Sequence, residues 1–181
     1  MATNKIYVDP GAIFAFMDPN GTTPPAGATR IAFALTNLAY LSGRISAPLD
    51  RGAGALPMRY AWRLRTAWGS SPAPPANGDA VRLYIIQADA EGDGTQCDGG
   101  WALGADGNIT TEAALYQQAM YLGAVLYTGG SYTSSSGICV ISSRYISVAA
   151  WDTSGTAGLA SGYNTHIFTL QELPDEVQAA S

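Results

Sequence analysis

The stretch "MRYAWRLRTAW", residues 58–68, restricts the fold more than any other part of the chain. It alternates strictly, with Tyr60, Trp62, Leu64, Thr66 and Trp68 at even positions and Arg59, Ala61, Arg63, Arg65 and Ala67 at odd ones. A helix would scatter both sets around its circumference, whereas a strand sends them to opposite faces. One face is bulky and apolar and needs an opposing layer to cover it. The other carries three arginines. Such a half-buried strand belongs to a sheet packed on a second layer.

The same signal recurs at short spacing. "RIAFALTN" puts Ile31, Phe33 and Leu35 on one side, and "AVRLYIIQAD" sets Val81, Leu83 and Ile85 against Arg82, Tyr84 and Ile86. "MYLGAVLY", "ICVISS", "RYISVAAWD" and "THIFTLQEL" read as further strands. Between them lie breaks: "SSPAPPANGD", a Gly/Asp-rich loop over 88–108, a flexible tip "GGSYTSSSG" and the loop "TSGTAGLASGYN". "TTEAALYQQAM" predicts one short helix near 110–120, with Thr110 or Thr111 as N-cap and Glu112 in its first turn. About eight strands of this kind predict an all-β fold, an antiparallel β-sandwich of jelly-roll type. "KIYV" and "AIFAF" flank "DPG" as a candidate hairpin, and "NGTTPPAGA" reads as a linker because of its prolines and glycines. The expected organisation is an extended N-terminal arm at 1–28, a sandwich at 29–174 and a polar tail at 175–181.

Composition narrows the function. Only 13% of the residues are charged and the formal net charge is -5. Phosphate contacts need clustered Lys and Arg, so nucleic acid is not the expected partner. No apolar run approaches the roughly 20 residues of a membrane span, and the N-terminus lacks a signal-peptide pattern. A surface this poor in charge suits a protein whose faces are covered by neighbours in an assembly.

Chemistry-bearing residues are sparse. The G-x-S-x-G and H-E-x-x-H patterns are missing, and the single histidine, His166, alternates with Phe168 and Leu170 on a strand, which reads as a core or interface position. Cys97 and Cys139 read as free thiols. In "QADAEGDGTQCDGGW" (87–101), Asp89, Glu91, Asp93 and Gly94 match the opening of a calcium loop, but its twelfth place is Gly100 and a strand leads into it. A polar turn is the preferred reading, with a loose calcium cage of Asp89, Glu91, Asp93 and Asp98 as the weaker alternative. No cofactor and no enzymatic activity are expected.

Two kinds of interface residue stand out. Arg59, Arg63 and Arg65 form a stripe of like charge that repels itself unless an acidic partner neutralises it. Trp101, in the Gly-rich loop, is the tryptophan best placed for a surface contact.

The runs "VRLYIIQADAEGDGTQCDGG" and "SRYISVAAWDTSGTAGLASGYNTHIFTLQELPDEVQ", with "ALTNLAYLSGRISAPLD" ahead of the arginine strand, resemble small virion proteins of tailed bacteriophages. The likeness spans about residues 30–178; the segment 1–28 and the acidic loop 88–100 depart from it. It implies a jelly-roll-like capsid decoration or cement protein, assembled in the host cytoplasm and sitting outside the head shell. Its expected partners are the major capsid protein and its own copies, as a trimer or dimer at a symmetry axis. In that setting Ile6, Val8, Ile13, Phe14 and Phe16 of the arm are candidates for reaching a neighbouring subunit. Rival readings are a neck, tail or baseplate component, a module binding host surface glycans through Trp101 and tyrosines of loops 88–108 and 128–137, and, last, a hydrolase.

Overall fold

The computed structural model describes residues 11–21, 23–52, 57–72, 75–88, 106–116, 119–155 and 157–173. Among them the chain forms twelve strands and one helix: β1 (Ile13–Met17), β2 (Ala28–Ala32), β3 (Gly43–Ile45), β4 (Leu49–Asp50), β5 (Arg59–Pro72), β6 (Ala80–Ala88), β7 (Gly107–Ile109), α1 (Ala113–Tyr116), β8 (Met120–Leu126), β9 (Tyr132–Val140), β10 (Tyr145–Asp152), β11 (Ala157–Leu159) and β12 (Ile167–Glu172). Ile6, Val8, Asp89, Glu91, Asp93, Cys97, Asp98, Trp101 and the tail from 174 lie outside the described residues.

Eight strands carry the architecture. In one sheet β9, β5, β12 and β1 lie side by side, with β2 added at the edge; in the other β8, β6, β10 and β3 do, with β7 added. The first of these eight strands pairs with the last (β1 with β12), the second with the seventh (β3 with β10), the third with the sixth (β5 with β9) and the fourth with the fifth (β6 with β8). That nesting is a jelly roll, as the alternation implied.

Each sheet also contains one interrupted lane. β11 and β12 both run antiparallel to β5, one after the other, and β3 and β4 both run along β10. His166 fills the first break. Its Nε2 lies 2.9 Å from the Ala160 carbonyl and must donate to it, so Nδ1 accepts from the Thr66 hydroxyl at 2.8 Å and the Ala67 amide at 3.4 Å. His166 is thus the core histidine that its alternation suggested.

The arm expected at 1–28 is corrected. β1 lies between β12 and β2, and Phe14 and Phe16 are buried. Phe16 meets Phe168 edge-on at 5.6 Å, and Phe168 stacks on Trp62 at 6.3 Å. These side chains fill the core and cannot reach a neighbour, so the sandwich includes residue 13 rather than beginning at 29. The linker-like "NGTTPPAGA" is the turn that returns the chain for β2 to pair parallel with β1. Arg30 ties it down by donating to the carbonyls of Asp18 and Pro19.

Two further expectations shift. β5 continues through Ser70 and Ser71 to Pro72 because β11 pairs with it there. The tip "TSSSG" belongs to β9, whose backbone bonds to β5 outweigh the weak strand preference of Ser and Gly.

The two sheets bury unequal surfaces. Between them lies the main core, with Trp62, Leu64, Leu83, Ile85, Val148 and Phe168 among its members. The indole of Trp62 fits because two glycines face it: a Cβ on Gly137 would lie 2.8 Å from its Nε1, and one on Gly123 3.1 Å from its ring. A second cluster covers the outer face of the β6–β10 sheet, where Tyr84, Ile86, Ala149 and Trp151 pack with Ile109 of β7 and Leu115 of α1. The helix is a single short turn, as read, and its buried residue is Leu115.

Candidate interaction surfaces

Among the described residues the outer face of the β9–β5–β12 sheet has no such cover. Register aligns Val140, Ile138, Ser136, Ser134 and Tyr132 of β9 with Arg59, Ala61, Arg63, Arg65 and Ala67 of β5. Gln171, Thr169 and Ile167 of β12 follow beside Ala61, Arg63 and Arg65, and Ile13 lies next to Gln171. Alternation therefore gathers the three arginines on one face, as the sequence implied, and adds apolar neighbours. Ile138 is 61% exposed, Met58 54%, Val140 53% and Tyr132 53%. Small side chains at Ala61 and Ser136 leave a hollow of about 530 Å³ between Arg63, Ile138, Thr169 and Gln171.

Among the described residues none of these three arginines forms an ion pair, whereas Arg44, Arg82 and Arg144 pair with Asp106, Glu112 and Asp50. Arg65 lies over the Tyr132 ring, 4.7 Å from its centre. That contact offsets part of one charge and leaves the stripe cationic. Of the predicted interface residues, Arg59, Arg63, Arg65 and half-buried Ile13 share this face; Phe14 and Phe16 do not. Sequence reading missed Ile138 and Val140, and named Tyr132, the tyrosine of loop 128–137, only as a glycan contact. Their common parity in "YTSSSGICV" was the available signal, hidden by taking the serines for a loop.

A second surface lies on the opposite sheet. Arg82 and Tyr84 of β6, Tyr116 of α1 and Tyr121 of β8 line a cleft of about 290 Å³. Tyr84 is its floor, at 1% exposure, with Tyr116 6.3 Å and Tyr121 5.5 Å away between ring centres. Glu112 accepts from the Tyr84 hydroxyl at 2.8 Å and from Arg82 at 3.0 Å, and Arg82 donates to the Tyr116 oxygen at 2.8 Å. Burial and the Glu112 bond push the Tyr84 phenol up; the Glu112 bond is the main cause raising Arg82 and Tyr116.

The remaining polar groups are structural. Thr66 and His166 have the spacing of a hydroxyl and its base, but they are 0% and 1% exposed, and the other ring nitrogen faces a backbone carbonyl rather than an acid. Arg51 donates to the Tyr60 hydroxyl and to the Ile141, Ser143 and Pro57 carbonyls, fastening the chain ahead of β5. Among the described residues no three of His, Cys, Asp and Glu are grouped to hold a metal. Cys139 is a free buried thiol whose pKa burial raises to about 11. Comparison with known proteins gives no match: no protein-family model fits the chain, and no curated protein is significantly similar to it.

Proposed function

We propose that the protein is a structural component of a bacteriophage virion, a decoration or cement protein that seats its β9–β5–β12 face on neighbouring subunits of the major capsid protein. One observation carries this reading. The chain covers the outer face of one sheet with its own β7 and α1, while among the described residues the other stays uncovered, apolar and rich in arginine. Exposed Ile138, Val140 and Met58 favour burial against a partner, and arginines with no ion pair among the described residues favour an acidic one. The hollow beside Arg63 suits a projecting side chain.

Such a face works by area and repetition. A specific contact buries on the order of 800 Å² per partner, and symmetric copies multiply weak contacts into avidity. Self-association as a trimer or dimer would place several faces at once.

The test is co-sedimentation with phage heads lacking the protein, comparing the native chain with the triple variant Arg59→Glu, Arg63→Glu, Arg65→Glu. The three positions are exposed, and a circular dichroism spectrum matching that of the native chain checks that the variant keeps the fold. The variant is expected to lose head binding, and the native chain to saturate the shell at many copies per head. Equal retention of both chains, or native binding confined to a single ring at the neck, overturns the reading.

A further inference from the structure

We propose that the cleft of Tyr84, Tyr116 and Tyr121, with Arg82 and Glu112, is a binding site for a neutral saccharide. It lies on the sheet opposite the docking face and stands or falls independently of that reading.

The backbone is altered to build it. β6 and β8 pair Val81 with Val125 and Leu83 with Gly123, both inward; continued alternation would send Tyr121 into the core as well. Instead a bulge shifts the register between Leu83 and Tyr84, so that Tyr84 faces Tyr121. One extra residue, Leu122, thereby moves the Tyr121 ring to the outer face, where it is 55% exposed. Bulges of this kind re-aim side chains at functional edges. A ring of this size left in water, beside a second at 60% exposure on Tyr116, forfeits burial that the core would have supplied.

The chemistry of the lining selects the ligand. Aromatic faces are electron-rich and attract the polarised C–H bonds on one face of a pyranose ring. Around them stand an arginine fork that donates, a carboxylate that accepts and tyrosine hydroxyls that do both, which matches the rim of a sugar. Arg82 and Glu112 are bonded to each other, so the site is close to charge balance. The arginine opposes a quaternary ammonium in the aromatic slot, and the glutamate opposes an anion. The bonds of Glu112 and Arg82 fix the rings of Tyr84 and Tyr116 before any ligand arrives, lowering the cost of binding. A volume near the lower limit for ligand clefts, roughly 300 Å³, suits one ring of a longer glycan.

The experiment is an NMR titration of the full chain with glucose, galactose, mannose and N-acetylglucosamine, followed by tetramethylammonium. At least one sugar is expected to shift the ring resonances of Tyr116 and Tyr121. Tyr116→Ala and Tyr121→Ala should each weaken that sugar about tenfold or more, while Tyr116→Phe, which keeps the ring and loses only the hydroxyl bonded to Arg82, should weaken it less than Tyr116→Ala does. Tyr116 lies on the surface, so its alanine variant decides the matter even if Tyr121→Ala fails to fold. The proposal fails if no sugar shifts these rings, if binding survives Tyr116→Ala undiminished, or if tetramethylammonium binds more tightly than every sugar.

Discussion

Asp152 sits at the inner end of β10, fully buried, with Oδ1 accepting from the Ser154 amide at 2.8 Å and Oδ2 without a hydrogen-bond partner among the described residues. Burial raises its pKa from 3.8 to about 6, and the charge of Asp79 adds to the rise. A raised folded pKa means that the protonated form stabilises the fold. That contribution is complete below about pH 4 and is lost as pH rises through 6, a swing of about 3 kcal/mol. Asp152→Asn should therefore raise stability by ~1–3 kcal/mol at about pH 8 and change it little near pH 4. Urea midpoints at both values check this; an equal shift at both would refute the assignment. His166 runs the other way. Burial lowers its pKa, so its contribution is present above about 6.5 and is lost as pH falls below that, when Nδ1 takes a proton and can no longer accept from Thr66. The two groups oppose each other across the mildly acidic range.

At the scale of elements, the bulge in β8 is the feature with the clearest consequence. Deleting Leu122 removes the bulge and leaves Tyr121 opposite Tyr84 and Met120 opposite Ile85 in an unbroken ladder, so both side chains keep their faces. The expected outcome is that Tyr121 stays exposed while denaturant stability falls by about 1–3 kcal/mol, from loss of the partly buried Leu122 side chain packed against the core. A deletion variant in which Tyr121 is withdrawn from solvent would contradict the register drawn between β6 and β8. The same element marks where sequence reading stopped. β5 was legible because tryptophan and arginine alternate without exception, and β6 because its apolar run is long. Tyr121 was not, since a bulge breaks the period on which the reading depends. β9 was obscured by "TSSSG", in which only Thr133 favours a strand and the ladder with β5 draws in the rest. The arginine stripe was legible one residue at a time; its apolar neighbours come from a partner strand about seventy residues away, and no local pattern indicates that pairing.

For the whole molecule, the jelly roll could be inferred from strand number and spacing, while its starting point could not. Proline and glycine after residue 18 suggested a tether, but β1 is interior to its sheet. Phe14 and Phe16 are each worth about 3–5 kcal/mol as core aromatics, against a typical total of about 5–15 kcal/mol for a domain. Removing residues 1–28 is expected to abolish the cooperative thermal transition, whereas removing residues 1–10, which stops short of β1, should preserve it. Circular dichroism melts of the two truncations check both statements, and a cooperative melt from the longer truncation would contradict the placement of β1. On the proposed reading the two faces divide the labour: one sheet would turn toward an assembly, and the other would carry the tyrosine cleft toward the surroundings.

The broken lane between β11 and β12 bears on how such a chain can change length. Ala160 and His166 hold the two halves to β5 through the Ala67 carbonyl and amide and to each other through the Nε2–carbonyl bond, while Ser161, Tyr163 and Asn164 between them face solvent. Residues inserted at that gap shift neither register, because neither half counts its pairing through the loop, and the entropy of a longer loop grows only slowly. The fold thus holds a site where a lineage can gain or lose sequence, or an engineer can graft a foreign peptide, while the sandwich on either side stays as it is.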